Sequence, residues 1–267
     1  MTPAVVADMQ GAQILVRTDD PFVSASVFAD GHYGDAIELD SAVRTLRAAG
    51  FEARLGDRST FLDVGANIGT ATVSALTRQT FANAVAIEPE PGNLAMLRAN
   101  VALNDLHERV RVMAVAVGAE DGSVELLVNR ENPGDHRVVT GSGAPGSAQT
   151  VAVPLRSIDS MVAAGEIVPS DIGLLWIDVQ GFEAEVLRGA SALIDAGVPA
   201  VIEYSPEHMA SGPAELRDLI AARFARIGDL REARAGSRVT LRPSSDIATL
   251  RPAGRFTDLL LLPPARG

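Results

Sequence analysis

Short apolar runs that each end in an acidic residue recur along the chain, and helical patterns separate them. Runs of this length are typical of the buried strands of a parallel sheet. The acids that end the four clearest runs are Asp63, Glu88, Asp178 and Glu203. Because open α/β sheets bind ligands at the carboxyl ends of their strands, we expect these side chains to share one edge. The pattern therefore predicts an α/β fold with its functional site at that edge.

Similar patterns cover much of the remaining chain. A helix over 91–104 is the clearest, because Leu94, Leu97 and Val101 recur at helical spacing after Pro91. The other predicted helices cover residues 42–49, 182–193 and 214–227, and the other predicted strands cover residues 12–17, 110–117, 122–128, 149–155, 238–241 and 258–262, with 24–29 as a short helix or strand.

Two polar segments interrupt these elements. Residues 30–34 are glycine-flanked and aromatic, which fits a loop over the site or a surface turn. Residues 129–148 are rich in Gly, Ser, Asn and Pro, and the segment is long for a loop in a compact domain. It contains Arg130, His136 and Arg137. We therefore hypothesise that it is either a functional lid or simply mobile.

Composition limits the class of protein. The chain has 267 residues, of which 47% are hydrophobic, and this is enough for one large α/β domain, which we expect over 51–267. We expect residues 1–50 to form an extension, which is a candidate cover of the site. The net charge of −11 argues against nucleic-acid binding, and the absence of cysteine excludes disulfides and thiolate metal sites. No long apolar run suggests a membrane span, and the N-terminus does not resemble a signal peptide, so we expect a cytoplasmic protein.

A glycine turn follows Asp63. The segment from Gly65 to Gly69, Gly-Ala-Asn-Ile-Gly, leads into an apolar helical run over 70–76. Glycine suits a turn where the backbone passes close to a ligand at positive φ, and Asn67 also tolerates left-handed geometry. The first turn of the helix would offer free N–H groups to an anionic group.

The spacing of this turn separates two kinds of nucleotide site. A dinucleotide site needs Gly-x-Gly-x-x-Gly, whereas Gly65-x-Asn67-x-Gly69 is one residue shorter and lacks the middle glycine. A nicotinamide oxidoreductase is therefore disfavoured. Glu88 ends the next strand, where it is well placed to take ribose hydroxyls. Asp63 and Glu88 around a glycine turn resemble the S-adenosylmethionine (SAM) site of class I methyltransferases.

The chain also resembles one family of SAM-dependent methyltransferases, the FkbM family, over residues 19–263. The resemblance rests on Phe-Leu-Asp-Val-Gly-Ala-Asn-Ile-Gly from Phe61, Ala-Ile-Glu-Pro from Ala86, and Ile-Asp-Val-Gln-Gly-Phe-Glu from Ile177, with Val-Leu-Arg-Gly-Ala following. It implies a Rossmann-like class I fold, with a mostly parallel seven-stranded sheet and helices on both faces. It also implies O-methylation of a small-molecule acceptor, such as a sugar or natural-product hydroxyl. The family commonly has Glu where this chain has Gln180, so we assign position 180 no acid–base role.

The resemblance and the turn together give a predicted cofactor site for SAM. Its predicted residues are Asp63, Gly65, Ala66, Asn67, Gly69, Glu88, Pro89, Ala116 and Val117. Asp63 has an alternative role, because an acid in this position could also cap the following helix.

The predicted catalytic residues are Asp178, Glu203, His136 and His208. Asp178 would position or deprotonate the acceptor hydroxyl, although it could instead cap the helix after it. Glu203 would hold the substrate or pair with an arginine. His136 and His208 could each reach the acceptor or lie on the surface. A carboxylate of ordinary pKa is a weak base, so it would need burial or a histidine to help.

No tight spacing of ligands supports a metal site, and we expect none. A non-catalytic SAM- or nucleotide-binding partner module is the alternative function. The sequence leaves the oligomeric state and the identity of the acceptor open.

Overall fold

The computed structural model describes residues 4–31, 34–139, 149–207, 212–235, 238–252, 254 and 256–264. The strands are β1 (Ala4–Met9), β2 (Ala12–Arg17), β3 (Gly56–Val64), β4 (Phe81–Ile87), β5 (Val110–Met113), β6 (Ala116–Val117), β7 (Gly122–Leu127), β8 (Arg137–Val138), β9 (Thr150–Arg156), β10 (Ile172–Ile177), β11 (Ala200–Tyr204), β12 (Arg226–Asp229), β13 (Arg242–Pro243) and β14 (Thr257–Leu262). The helices are α1 (Val23–Asp30), α2 (Gly34–Ala48), α3 (Thr70–Thr77), α4 (Pro91–Leu103), α5 (Ile158–Ala163), α6 (Glu183–Arg188), α7 (Ser191–Asp195) and α8 (Pro213–Arg223). Short 3-10 helices cover Glu52–Arg54, Leu230–Ala235 and Ser244–Ala248.

The central sheet has the strand order β13-β12-β14-β11-β10-β3-β4-β5. The strands from β11 to β5 run parallel to one another, and β14, β12 and β13 add antiparallel pairs at the other edge. The mostly parallel α/β architecture is as predicted, with one strand more than the predicted seven. The additional pairing comes from the two-residue strand β13.

Neighbouring residues of a strand point to opposite sides of the sheet, so this sheet has two apolar faces. Helices cover both of them. On one face Phe61 and Trp176 pack with residues of α2, α3 and α4. On the other face Leu62 and Ile177 pack with residues of α5 to α8. The strands are buried on both sides, which explains their continuous apolar runs.

The N-terminal hairpin of β1 and β2 packs on α4 through two asparagines. The side chain of Asn100 accepts a hydrogen bond from the backbone N–H of Leu15, and that of Asn104 accepts one from Gln13 at 2.9 Å. Residues 24–29 form part of helix α1, which settles the choice between helix and strand left open above. The division of the chain at residue 50 stays a prediction.

Several element boundaries differ from the prediction. The strand predicted over 110–117 is two strands, because β5 belongs to the central sheet whereas β6 joins a smaller sheet of order β6-β9-β7-β8. The helix predicted over 182–193 is also divided, between α6 and α7.

The prediction for the C-terminal part was wrong in two places. Helix α8 ends at Arg223, and strand β12 follows where the helix was expected to continue. Residues 238–241 form no strand; Val239 and Leu241 pack against the core without pairing in the sheet. Their alternating pattern therefore reflects side-chain burial alone.

Phe61 is the residue whose truncation we expect to damage the fold most clearly. It is fully buried, with ring centroids 5.3 Å from Phe81 and 6.1 Å from Trp176. Phe61→Ala should lower the free energy of unfolding by about 3–5 kcal/mol, because it leaves a cavity between these rings. Phe28→Ala is the matched control, since Phe28 is 69% exposed. Urea unfolding that shows equal losses for both variants would contradict this account of the core.

Candidate active site

A cavity of about 590 Å³ lies at the carboxyl edge of the parallel strands. The predicted residues that line it are Asp63, Gly65, Ala66, Asn67, Glu88, Pro89, Ala116, Val117, His136, Asp178 and Glu203. The structure therefore brings the four strand-end acids together, as the pattern of apolar runs predicted. Gly69 does not line the cavity, and His208 lies outside the described residues.

The two glycines of the turn are required by packing within the protein. At Gly65, where φ is +88°, an added Cβ would lie 1.8 Å from the carbonyl oxygen of Asp178. At Gly69, where φ is +91°, it would lie 2.7 Å from Leu97 Cδ1. Gly69 begins helix α3 and packs on α4. This position argues against the predicted direct contact of Gly69 with a cofactor.

Glu88 is held in a fixed orientation at one end of the cavity. Its Oε2 accepts a hydrogen bond from the backbone N–H of Asn67 at 2.9 Å, and its Oε1 accepts one from Glu90 at 2.8 Å. Burial raises the pKa of Glu88 to about 8, although both backbone bonds act in the opposite direction. A carboxylate has lone pairs for about four hydrogen bonds, so Glu88 can still accept from a ligand.

Asp63 is buried beneath the turn. The hydroxyl of Thr72, in the first turn of α3, donates to its Oδ2. Burial and the nearby charge of Asp178 raise the pKa of Asp63 to about 7. The side chain thus lines the cavity and bonds to a residue in the first turn of the following helix, while its cofactor role stays a prediction.

A row of polar side chains crosses the other end of the cavity. The amide nitrogen of Gln180 donates to Asp178 Oδ1 at 2.6 Å and lies 3.5 Å from Glu203 Oε2. Glu203 in β11 stands opposite Asp258 in β14, and Asp258 Oδ2 accepts from Arg231 Nε at 3.0 Å. Gln180 has a φ of +53°, so a strained backbone places its amide between the two carboxyl groups.

These carboxyl groups have different protonation states at neutral pH. Burial raises the pKa of Asp178 to about 6, while the hydrogen bond from Gln180 limits the rise. Burial, followed by repulsion from Asp178, Glu183 and Asp258, raises the pKa of Glu203 to about 10. Asp178 is therefore mostly ionised at pH 7, and Glu203 carries a proton.

Glu183 supports the loop that carries Gln180. Its Oε1 accepts hydrogen bonds from the backbone N–H of Gly181 at 3.0 Å and of Val179 at 3.4 Å. Burial raises its pKa to about 7. Glu183 thus holds the loop that precedes α6, whereas Asp178 bonds with Gln180 and α6 has no side-chain cap.

His136 lines the cavity, but its geometry does not suit a base. Its Nδ1 accepts the backbone N–H of Asn129 at 3.0 Å, and its Nε2 lies 3.9 Å from Glu90 Oε2. Burial lowers the pKa of His136, so the ring is neutral, and its proton is on Nε2. No lone pair is left to take a proton from a substrate. The structure therefore argues against the predicted base role for His136.

The described part of the glycine-rich segment is held against the cavity. Asn93 donates from Nδ2 to the carbonyl oxygen of Pro133 at 2.8 Å, and Asn129 accepts from the backbone of Glu131 and Asn132 at 3.0 Å each. These bonds connect residues 129–139 to the wall of the cavity. The hypothesis that the segment 129–148 is a lid stays a prediction, because residues 140–148 lie outside the described part.

Residues from both ends of the chain also line the cavity. Phe22, Val23 and Ser26 come from the N-terminal extension, the segment considered as a cover of the site. Arg231, Phe256 and Asp258 come from the C-terminal part, and the sequence did not point to them. The sequence analysis missed Asp258 because strand β14 is antiparallel, and the beginning of an antiparallel strand lies at the site. The signal that could have indicated Asp258 is an acid that precedes an apolar run, where the other four acids end one.

Among the described residues, no group of three or more His, Cys, Asp or Glu side chains has the arrangement of a metal site. Within the same part of the chain, no helix has the length and apolar character needed to cross a membrane.

Comparisons with known proteins give consistent matches. A model of the methyltransferase FkbM domain matches residues 63–231. The 2-O-methyltransferase NoeI of Sinorhizobium fredii is 24% identical over 172 residues, which cover 60% of this chain and 68% of NoeI. The methyltransferase sdnD of Sordaria araneosa is 27% identical over 163 residues, which cover 51% of this chain and 62% of sdnD.

Solved structures give a more distant likeness. The crystal structure of methyltransferase FkbM from Methylobacillus flagellatus aligns with 84% of this chain and 54% of that chain, at 16% identity and a TM-score of 0.47. About a third or more of each of these relatives therefore lies outside the aligned part.

The buried acids predict how stability depends on pH. A raised pKa means that the folded protein keeps a proton that the unfolded chain has lost above about pH 4. Stability is therefore complete below that pH and falls as pH rises through the folded values, from about 6 for Asp178 to about 10 for Glu203. The melting temperature of the ligand-free protein should drop by several degrees between pH 5.5 and pH 8.5. Glu203→Gln should reduce this dependence, and a melting temperature that rises over the same interval would contradict it.

Proposed function

The chain belongs to the FkbM methyltransferase domain family, and from this premise we propose that it transfers a methyl group from SAM to a hydroxyl oxygen of a sugar or another natural product. The observation that carries the proposal is the pairing, in one cavity, of an oriented carboxyl group at Glu88 with the ionised Asp178. Glu88 is placed to accept hydrogen bonds from a ribose, and Asp178 is placed to accept the proton of an attacking hydroxyl.

The residues at the Glu88 end fit a nucleoside cofactor. Glu88 would accept hydrogen bonds from the ribose hydroxyls, and the turn from Gly65 to Asn67 would lie against the cofactor. Asn93 Oδ1 is buried and accepts no hydrogen bond from the described residues, although Asn93 lines the cavity. A ligand donor would satisfy this atom, whose burial without a partner costs about 1–3 kcal/mol. Apolar lining from Ile87, Ala116 and Val117 suits a flat ring.

Asp178 is the proposed base at the other end. SAM supplies an activated methyl group, so the protein has mainly to position the reactants and exclude water. The acceptor oxygen would form the new bond to the methyl carbon. SAM, when bound, would supply that carbon and a sulfur atom that keeps the electron pair of the broken carbon–sulfur bond. The hydroxyl proton passes to Asp178, whose pKa of about 6 makes it a stronger base than an ordinary carboxylate.

Two neighbouring side chains assist Asp178: Glu203 binds the acceptor, and Gln180 orients the carboxylate of Asp178. Glu203 is protonated, so it can donate a hydrogen bond to an acceptor oxygen while adding no charge beside the base. Gln180 orients the carboxylate of Asp178 through the 2.6 Å hydrogen bond. The similarity to NoeI, whose name describes a 2-O-methyltransferase, supports oxygen as the methylated atom.

The direct test uses isotope-labelled SAM with a panel of hydroxylated acceptors, including free sugars, glycosides and macrolide-type alcohols. Transfer of label to oxygen, located by mass spectrometry and NMR, is the expected result. SAM binding without transfer to any acceptor would favour the alternative of a non-catalytic binding module.

Glu88→Ala should weaken SAM binding at least tenfold. The change removes the hydrogen bonds between the ribose hydroxyls and the Glu88 side chain, each worth about 0.5–1.5 kcal/mol for a neutral carboxyl group and more for an ionised one. Isothermal titration calorimetry with SAM and with S-adenosylhomocysteine measures the loss. Glu108→Ala is the control, because the Glu108 side chain is 88% exposed and lies outside the cavity lining. Unchanged affinity in Glu88→Ala would remove Glu88 from the cofactor site.

Asp178→Asn should slow single-turnover methyl transfer by about 10²–10⁴-fold while SAM affinity changes little. The amide keeps the size of the side chain but cannot take the proton. Glu203→Gln should cost less, because a neutral amide resembles the protonated acid. Asp195→Asn, at a residue whose side chain is 74% exposed, serves as the control. Turnover near that of the wild type in Asp178→Asn would exclude Asp178 as the base.

A further inference from the structure

Three cavity residues have no part in the proposed transfer chemistry. Arg231 follows strand β12, Phe256 directly precedes β14, and Asp258 lies within β14. All three line the cavity, beyond Glu203 as seen from Asp178. Neither the cofactor site nor the proton transfer accounts for an arginine and an aromatic ring at this position.

The guanidinium of Arg231 is fixed on two sides. Its Nε donates to Asp258 Oδ2 at 3.0 Å, and its central carbon lies 3.7 Å from the centroid of the Phe256 ring. The backbone N–H of Arg231 also donates to Asp229 Oδ1 at 3.0 Å. Within the described part of the chain, the two terminal nitrogens of the guanidinium have no hydrogen-bond acceptor. A planar, oriented pair of donors is thus available to a ligand.

This pair lies close to the proposed base. Glu203 and Asp258 stand directly opposite in neighbouring strands, which are about 4.8 Å apart in a sheet. Gln180 connects Glu203 to Asp178 on the other side. A ligand group bound by Arg231 would therefore be a near neighbour of the hydroxyl that faces Asp178.

The charges around Arg231 decide what kind of group fits. Asp258 already pairs with this guanidinium, and the ionised Asp178 lies in the same cavity. A phosphate or carboxylate on the acceptor would meet these acids and be repelled. An ammonium could bond to the acids but could not accept from Arg231. A hydroxyl can do both, since it donates to Asp258 and accepts from the guanidinium.

The cavity lining also includes aromatic side chains. Phe256 lies beside Arg231, and Phe22 from the N-terminal extension is 52% exposed and lines the same cavity. A saturated ring with hydroxyls at its edge has an apolar C–H face that can pack on such residues. Polar groups and aromatic rings in one cavity thus match the two kinds of surface on a sugar ring.

We propose that Arg231 and Asp258 form a subsite for an uncharged hydroxyl next to the one that is methylated, so that the acceptor is a vicinal diol on a saturated ring. This inference rests on the proposed function and deepens it. Arg231 and Asp258 determine specificity, whereas Asp178 remains the group that takes the proton.

The test combines enzyme variants with substrate variants. The probes are methyl glycosides of hexoses and 6-deoxyhexoses, their single deoxy analogues, and the matching glycosides with a carboxylate at C6. With the wild type, loss of the hydroxyl beside the methylated position should reduce kcat/KM about ten- to a hundredfold. With Arg231→Met, the diol and its deoxy analogue should be methylated at similar rates, mainly through a higher KM for the diol.

Two further variants separate the subsite from general damage. Arg231→Lys keeps the charge beside Asp258 but loses the planar pair of donors, so it should lose most of the discrimination. Arg223→Met removes a surface ion pair with Asp195 and should discriminate as the wild type does. Melting temperature and S-adenosylhomocysteine affinity should be unchanged in Arg231→Lys. Equal turnover of diol and deoxy analogue by the wild type would overturn the proposal, as would a preference for the carboxylated glycosides.

Binding distinguishes failure of the subsite from failure of the proposed function. Saturation-transfer NMR with the same glycosides in the presence of S-adenosylhomocysteine needs no turnover. Binding that requires the neighbouring hydroxyl and is lost in Arg231→Met supports the subsite even if no methyl transfer is found. Absence of binding by every neutral glycoside, whether or not other acceptors are methylated, would refute the subsite.

Discussion

The burial of several carboxyl groups at one edge of the sheet is the constraint on which the site depends. An isolated buried charge is costly, so each acid must be neutral, paired or hydrogen-bonded. The protein uses all three solutions: Glu203 holds its proton, Asp258 pairs with Arg231, and Glu88 accepts two backbone N–H groups. Asp178 retains the lowest pKa of the buried group, about 6, because Gln180 donates to it. The hydrogen-bond partners of each acid therefore help to determine its pKa, and Asp178 is the one among them that is mostly ionised and able to take a proton at pH 7.

The same constraint explains why the sheet is built as it is. Parallel strands with apolar residues on both faces leave only their ends for polar chemistry. Asp63, Glu88, Asp178 and Glu203 all come at such ends, and the helices that follow lie on the two faces. The strained residues at this edge, Asn67 with φ of +52° and Gln180 with φ of +53°, lie in the turns that follow two of these strands.

The parallel sheet and the four acids at its edge could be predicted from the sequence, because each of these strands reads as an apolar run that ends in an acid. The glycine turn after Asp63 was visible for the same reason. Asp258 was missed since an antiparallel strand brings its beginning to the site, and Arg231 lies in a short 3-10 helix with no periodic pattern. The predicted strand over 238–241 failed because alternation measures burial of side chains and does not report backbone pairing. His136 was proposed as a base because spacing cannot show which atoms a histidine has already engaged.

The contact between Gly65 and Asp178 has a consequence for how this enzyme can diverge. The carbonyl oxygen of Asp178 occupies the space of a side chain at position 65, so the turn after β3 and the proposed base are in direct contact. Mutations there would disturb both halves of the cavity at once. Phe22, Phe256 and Asp258 lie outside the stretch that matches the family, residues 63–231; Phe22 directly precedes α1, Phe256 directly precedes β14, and Asp258 lies within β14. Under the proposed function, substitutions at the two ends of the chain would change the acceptor without touching the contact between Gly65 and Asp178.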